Sequence, residues 1–325
     1  MDVHKVKRDG KIDGLKSILI FLVVLGHLQY NDYGLELNKM IYSFHMPVFV
    51  FVSGYLTSLK ADRAKQVNWV KRTALIFLIA QLGHIVLDVV LRLVSARNGG
   101  TVSFGQLLSI HDFLTPKFAL WYLLCLIYWR LFTWNFSGKV NDLSLLIGSF
   151  VLSILVGAVP ISQTLSFQRA FSFFPFFVLG LLFKKHNLME RLDRINLFVP
   201  VGIIIAGLLI ARELPYFQPR DHYQSWNDAL LRGGQTMLGL LLCLSVVRVS
   251  RASAWTEKLS KYGVYTLWIY VGHTFLISAE RKLLPQTGIT YDIFMALLIA
   301  TLYCTLFILL AKCFYRGKTA QNATH

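Results

Sequence analysis

The chain has 325 residues, of which 55% are hydrophobic and 15% charged, against roughly 25% charged in an ordinary soluble domain. The deficit excludes a mainly water-facing surface and points to a lipid bilayer as the chief partner. The net charge of +16 does not signal nucleic acid, and no nucleic-acid partner is expected, because the Lys and Arg residues fall in short segments between apolar runs, where they act as orientation signals.

Ten apolar runs follow one another at about 12–31, 41–59, 72–94, 118–134, 142–159, 169–184, 196–211, 231–249, 262–280 and 291–313. Most have the length a bilayer core demands of a helix, and backbone groups in lipid must bond within their own segment. The expected fold is therefore all-α, a polytopic membrane bundle of about ten transmembrane helices. With ten spans both termini share one side. More than two-thirds of the 33 Lys and Arg residues then lie on that side, which sets both termini in the cytoplasm. The first run follows a basic head without a small-residue cleavage site and reads as a retained helix of a multi-pass inner (plasma) membrane protein. A single domain over residues 1–325, with no appended soluble domain, is expected. The sequence Asn322-Ala323-Thr324 fits a glycosylation sequon but is placed in the cytoplasm. Cys125, Cys243, Cys304 and Cys313 lie in or beside apolar runs with no metal-ligand spacing, so neither a disulfide framework nor a metal site is expected. The outer segment 213–228 is rich in aromatic, amide and acidic residues. It suits either a carbohydrate site or an interfacial aromatic belt.

In the first run, Lys16 and His27 are eleven residues apart. Three helical turns put both on one stripe, about 16 Å apart along the axis. Lys16 lies near the cytoplasmic end, one turn after Asp13, with which it can pair. His27 lies beyond mid-membrane. A lone lysine there reads as a snorkelling anchor and a lone histidine as a packing residue, but ionisable groups inside membranes are costly and usually functional. The second run carries His45 in its outer part and Pro47 near its first turn, with small or polar Ser53, Gly54 and Tyr55 deeper. The third run holds His84 and Asp88 at i, i+4, which reads first as a buried pair stabilising the bundle. Trp121 and Tyr122 open the fourth run, and Arg169 stands at the mouth of the sixth. His273, eleven residues into the ninth run, reaches the depth of His27, so the two histidines, with His45 somewhat above, predict a shared polar cavity.

These residues resemble the membrane-bound acyltransferase 3 family, most closely its fucose 4-O-acetylase-like branch. The resemblance rests on Ile12-Asp13-Gly14-Leu15-Lys16 leading to Val23-Val24-Leu25-Gly26-His27, and on Phe44-His45-Met46-Pro47 with Ser53-Gly54-Tyr55-Leu56. It extends to Leu120-Trp121-Tyr122-Leu123, to Arg169 before Phe173-Phe174-Pro175-Phe176-Phe177-Val178-Leu179-Gly180, and to His273. The family pattern is an arginine, ten residues and a histidine. Here Lys16 stands in the arginine position, which keeps the charge and loses the bidentate fork. The resemblance implies acetyl transfer from cytoplasmic acetyl-CoA to a hydroxyl of a sugar or lipid-linked glycan at the outer side. Lys16 and Asp13 would serve the donor. His27, His45 and His273 would be catalytic, and Arg169, Trp121 and Tyr122 would bind the acceptor or stabilise charge. His27 has the chemistry to take a proton from a hydroxyl or to carry the acetyl group itself, and the sequence leaves both open. A transporter or flippase for a polar or anionic solute is the alternative, since intramembrane histidines also serve proton relays. The lack of a visible internal repeat weighs against it.

Overall fold

The computed structural model describes residues 9–28, 32–58, 62–97, 109–136, 138–159, 164–215, 218–219, 221–283 and 291–321. The described residues form helices joined by short turns. They are α1 (Gly10–His27), α2 (Asp32–Leu56), α3 (Arg63–Arg97), α4 (Ile110–Leu114), α5 (Trp121–Phe136), α6 (Asp142–Leu155), α7 (Phe167–Lys185), α8 (Leu188–Asp193), α9 (Phe198–Glu213), α10 (Trp226–Ala252), α11 (Ala254–Lys258), α12 (Thr266–Leu283) and α13 (Ile293–Gln321), with 3-10 turns before α5 and α7 and between α11 and α12. Each of the ten apolar runs falls on one of the longer helices. Four helical segments, Arg63–Val94, Thr164–Lys185, Trp226–Ala252 and Ile293–Phe314, are long and apolar enough to cross a membrane by length and composition.

The apolar residues divide between a core and an outer skin. Around the centre, Leu19, Val24, Val48, Val50, Phe51 and Phe177 are fully buried. On α3, by contrast, Leu75, Ile79, Leu82 and Val86 form an i, i+3, i+4 stripe that is more than half exposed, and α13 buries little of its length. Stripes of this size would be a liability in water; facing acyl chains they cost nothing.

Crossing helices approach closely where side chains are smallest. Gly54 on α2 meets the Phe177 carbonyl of α7, and Gly180 on α7 meets the Phe51 carbonyl of α2, so a Cβ at either position would collide with backbone. This is the small-residue packing that membrane helices favour. Helix α1 is wedged against α2, α12, α13 and the 259–265 turn. Its start is fixed by Asp9, whose carboxylate accepts from the Lys11 and Ile12 amides at 3.0 and 3.3 Å and an ion pair from Arg251 at 3.1 Å. Arg251 also binds Asp193 at 2.7 Å, which ties the start of α1 and the end of α8 to the end of α10. That ion pair, led by the Arg251 hydrogen bond, holds the Asp193 carboxyl below its ordinary range.

One element differs from the expected boundaries in a way that matters. Helix α2 begins at Asp32, well before the expected 41, so Pro47 lies in the helix interior rather than in its first turn. Polar and charged residues of the first two turns, Asp32 to Lys39, hid that extension, because hydropathy reads only apolar length. An interior proline removes the N–H that would bond the Ser43 carbonyl, beside the chamber described next.

Candidate active site

At one end of the bundle the tips of α1, α2, α5, α7, α9, α10 and α12 surround a chamber of about 430 Å³, a size ordinary for a small-molecule site. His27 lines it from the last turn of α1. The helix ends here because Leu28 turns to an extended backbone, and Arg281 of α12 donates to the freed His27 carbonyl at 2.7 Å. The His27 ring stacks on that of His273, with centroids 5.5 Å apart and planes 11° from parallel.

Tyr42, one helix over, orients the histidine. Its hydroxyl lies 2.9 Å from His27 Nδ1 and donates to the Gly26 carbonyl at 3.1 Å. A hydroxyl has one proton. If Gly26 receives it, the Tyr42 oxygen must accept from His27 Nδ1–H, and Nε2 is left with the free lone pair. This assignment follows from the hydrogen-bond pattern, and it is how a supporting group commonly sets a functional tautomer.

The other two histidines are held in the same manner by backbone. His45 Nδ1 donates to the Ile41 carbonyl at 2.7 Å, and its ring meets that of Tyr42 edge-on at 4.7 Å. His273 Nδ1 donates to the Ile269 carbonyl at 2.9 Å. His273 Nε2 is buried and has no hydrogen-bond partner among the described residues. Both rings are almost completely buried. His27 thus stacks on His273 and shares Tyr42 with His45, with His27 at the chamber.

Trp121 and Arg169 also line the chamber, the guanidinium lying 5.3 Å over the indole ring and Trp121 stacking on Phe173. The two helices that carry them are entered through unusual backbone. Phe118, Leu165 and Ser166 all have positive φ, near 50–60°, which is costly for residues with side chains and concentrates at functional sites. Tyr122 points elsewhere. Its hydroxyl bonds Ser53 inside the core, among the rings of Phe49, Trp129 and Tyr270. Lys16 lies at the opposite end of α1, its ammonium 2.9 Å from Asp13. Between Lys16 and His27 the buried residues Leu19, Ile20, Val23 and Val24 fill the α1 interface. His84 bonds Thr274 Oγ1 at 2.8 Å and stacks on Phe275, while Asp88 faces Lys117 at 3.1 Å; neither lines the chamber. No group of three or more His, Cys, Asp or Glu residues able to hold a metal ion occurs among the described residues.

Among the chamber residues not anticipated as site residues are Lys39, Tyr42, Arg232 and Arg281. Arg232 is almost wholly buried. It donates to Ser172 Oγ at 2.8 Å and to the Gln218 and Asp221 carbonyls at 3.1 and 3.2 Å. In doing so it straps part of the 213–228 segment over the chamber, with Ser172 donating to the Pro219 carbonyl at 3.0 Å. Pro215, Gln218 and Pro219 face the chamber. Of the aromatic residues of that segment, Tyr216 and Phe217 lie outside the described residues, while Tyr223 bonds the Ile154 carbonyl and Trp226 is 88% exposed; neither of these two lines the chamber. An arginine opening an otherwise apolar run was the available sign for Arg232.

The acyltransferase 3 family, described as an acyltransferase domain, matches residues 9–316. The chain belongs to the acyltransferase 3 family. Among its relatives, Nodulation protein NolL of Sinorhizobium fredii is 33% identical over 189 residues, covering 55% of this chain and 49% of the relative. Nodulation protein NolL of Mesorhizobium japonicum is 49% identical over 59 residues, 16% of either chain. The chain therefore spans about half or less of the curated relatives it matches. No solved structure matches it. For this family member, the matched region contains every chamber residue named above and the Lys16–Asp13 pair.

Proposed function

We propose that the chain is a membrane O-acetyltransferase that moves an acetyl group from cytoplasmic acetyl-CoA to a hydroxyl of a cell-envelope sugar or polysaccharide precursor. The observation that carries the reading is His27, which faces the chamber with its Nδ1 held by Tyr42 and its neighbours His45 and His273 packed around it. Family membership supplies the class of chemistry. The reading places ten spans in the inner membrane, with both termini and Lys16 on the cytoplasmic side and the chamber on the outer side. A reporter fused to the C-terminus should be active only in the cytoplasm.

In this reaction, His27 Nε2 takes the proton of the acceptor hydroxyl as its oxygen bonds to the thioester carbonyl carbon. The C–S bond then breaks, and the coenzyme A thiolate recovers the proton from His27. Negative charge develops on the carbonyl oxygen in between, and preorganised cations are the strongest stabilisers of such charge. Arg169 and Arg281 are within electrostatic reach of His27 and are assigned this role. His273, stacked on His27, confines the imidazole. Lys16, steadied by Asp13, is assigned to the anionic donor at the other end of α1.

The test is turnover of acetyl-CoA by purified, correctly inserted protein with a crude envelope-glycan fraction, with acetylation of the glycan read by mass spectrometry. His27→Ala should lower turnover by about 10²–10⁴-fold. Turnover within about twofold of the parent would remove His27 from the chemistry, and a parent protein that consumes no acetyl-CoA would remove the proposal.

A further inference from the structure

A buried amide on α3 grips the chain that leads into the chamber wall. Gln81 is 3% exposed. Its Nε2 donates to the Asp112 and Thr115 carbonyls at 2.8 and 2.9 Å, and its Oε1 accepts from the Lys117 amide at 3.0 Å. All three partners are main chain, in α4 and the stretch that joins it to the 3-10 turn before α5. The next residue, Phe118, has a φ of 48°. That left-handed conformation is costly for a residue with a side chain and persists only where its surroundings over-determine it. The Lys117 ammonium is also paired, with Asp112 at 2.6 Å and Asp88 at 3.1 Å, but those contacts sit at the tip of a flexible four-carbon stem. The bond from Gln81 to the Lys117 amide acts directly on the backbone beside the bend.

The bend decides where the Phe118 ring goes. Phe118 lines the chamber, with the His84 ring stacked against it at 5.6 Å and the Arg281 guanidinium 5.7 Å over it, within the reach of a cation–π contact. Arg281 in turn donates to the His27 carbonyl at 2.7 Å. We propose that Gln81 is a positioning residue for the reaction at His27: by holding the 112–117 main chain it keeps the Phe118 ring under Arg281, and so keeps that guanidinium at the chamber end of α1. Gln81 does not itself line the chamber; it acts through Phe118 and Arg281. The proposal rests on the acetyl-transfer reading, in which Arg281 stabilises the charge that develops on the thioester carbonyl oxygen. Preorganised cations lose that effect when they are misplaced, and a shift of about 1 Å caused by a residue remote from the chemistry can cost about 10²-fold in rate.

The experiment is a double-mutant cycle between Gln81 and Arg281, read by acetyl-CoA turnover of the full chain in nanodiscs with the envelope-glycan fraction as acceptor. Gln81→Met keeps the length and bulk of the side chain and removes all three hydrogen bonds. Its kcat should fall by roughly 10- to 100-fold, while KM for acetyl-CoA stays within about twofold, because the donor is assigned to the opposite end of α1. In an Arg281→Gln background, Gln81→Met should have no further effect on kcat, since the group it positions is gone. A residue that only supports the fold would lower kcat equally in both backgrounds. If Gln81→Met is not recovered from the membrane, Phe118→Leu carries the same cycle: it leaves the Gln81 bonds in place, removes the ring beneath Arg281, and should likewise lower kcat only when Arg281 is present. A kcat within about twofold of the parent, or a loss that persists in full in the Arg281→Gln background, would overturn the proposal. Its failure is separable from that of the acetyl-transfer reading. Turnover that depends on His27 and is indifferent to Gln81 and Phe118 leaves the chemistry standing and removes only the positioning role, whereas a parent protein that consumes no acetyl-CoA removes both.

Discussion

The hydroxyl of Tyr42 should matter only through His27, and a double-mutant cycle can show it. Tyr42→Phe keeps the ring that packs edge-on against His45 and deletes the oxygen 2.9 Å from His27 Nδ1. Such a bond contributes about 0.5–1.5 kcal/mol. Losing it frees His27 to rotate and to move its proton to Nε2, where it cannot act as a base. If the whole of that bond holds the reactive tautomer, kcat falls by roughly 2- to 15-fold. KM for the acceptor should change little, because the ring that lines the chamber remains. His27→Ala alone should cost about 10²–10⁴-fold. In the His27→Ala background, Tyr42→Phe should then have no further effect, since the group it orients is gone; the coupling energy should equal the full effect of Tyr42→Phe alone. The assay is release of free coenzyme A thiol by protein in nanodiscs at saturating donor. Two additive substitutions, or a Tyr42→Phe defect confined to KM, would refute the tautomer argument and make Tyr42 a simple contact of the acceptor.

Other outcomes follow from features away from the chamber. Lys16→Arg should keep measurable turnover, because charge is retained at the donor end of α1, whereas Lys16→Glu should abolish it; normal turnover in Lys16→Glu would make Lys16 an interface anchor only. Gly180→Leu should cost about 3 kcal/mol or more, since its side chain would enter the α2 backbone at Phe51, beyond ordinary overpacking; loss of the monodisperse peak in detergent chromatography checks it, and a wild-type profile would contradict the close crossing. On α4, burial tends to raise the Asp112 carboxyl, but the Lys117 and Ser109 hydrogen bonds and the charges of Lys117 and Arg92 outweigh it and hold the group at about 2. A depressed carboxyl stabilises the fold above its unfolded value of about 3.9 and loses that contribution as pH falls to about 2. The Tm difference between the parent and Asp112→Asn should therefore be full above pH 4 and vanish toward pH 2; a difference independent of pH across that window would rule out the pairing.

What the sequence disclosed depended on whether a signal was local. Apolar runs announce helices, so all ten runs fall on helices. The pairing of Lys16 with Asp13 is a one-turn relation within α1 and could be read from spacing alone. Counting rise per residue from the starts of two helices also put His27 and His273 at one depth, and their rings stack. Contacts between side chains on different helices were another matter. Tyr42 sits in the first half of α2, where a tyrosine reads as part of an interfacial belt, and nothing in the chain order says that it meets His27 across a turn. Arg232 and Arg281 read as orientation charges for the same reason. Composition gives the side of the membrane on which a charge lies but not whether it faces lipid, water or a chamber. Tyr122 shows the converse error: adjacent to Trp121 in sequence, it points about a quarter-turn away on the helix, into the core beside Ser53.

The packed interface along α1 has a consequence for bioenergetics. A protein that brings a substrate from each face of an energised membrane to one reaction centre risks becoming a conduit for protons and small ions. Each elementary charge that crossed would dissipate about 2.3 kcal/mol per 100 mV of potential. Leu19, Ile20, Val23 and Val24, all at most 3% exposed, line the roughly 16 Å of α1 between Lys16 and His27 with hydrocarbon side chains. Under the proposed reading, that apolar stretch of α1 is an insulating wall between the donor end and the chamber.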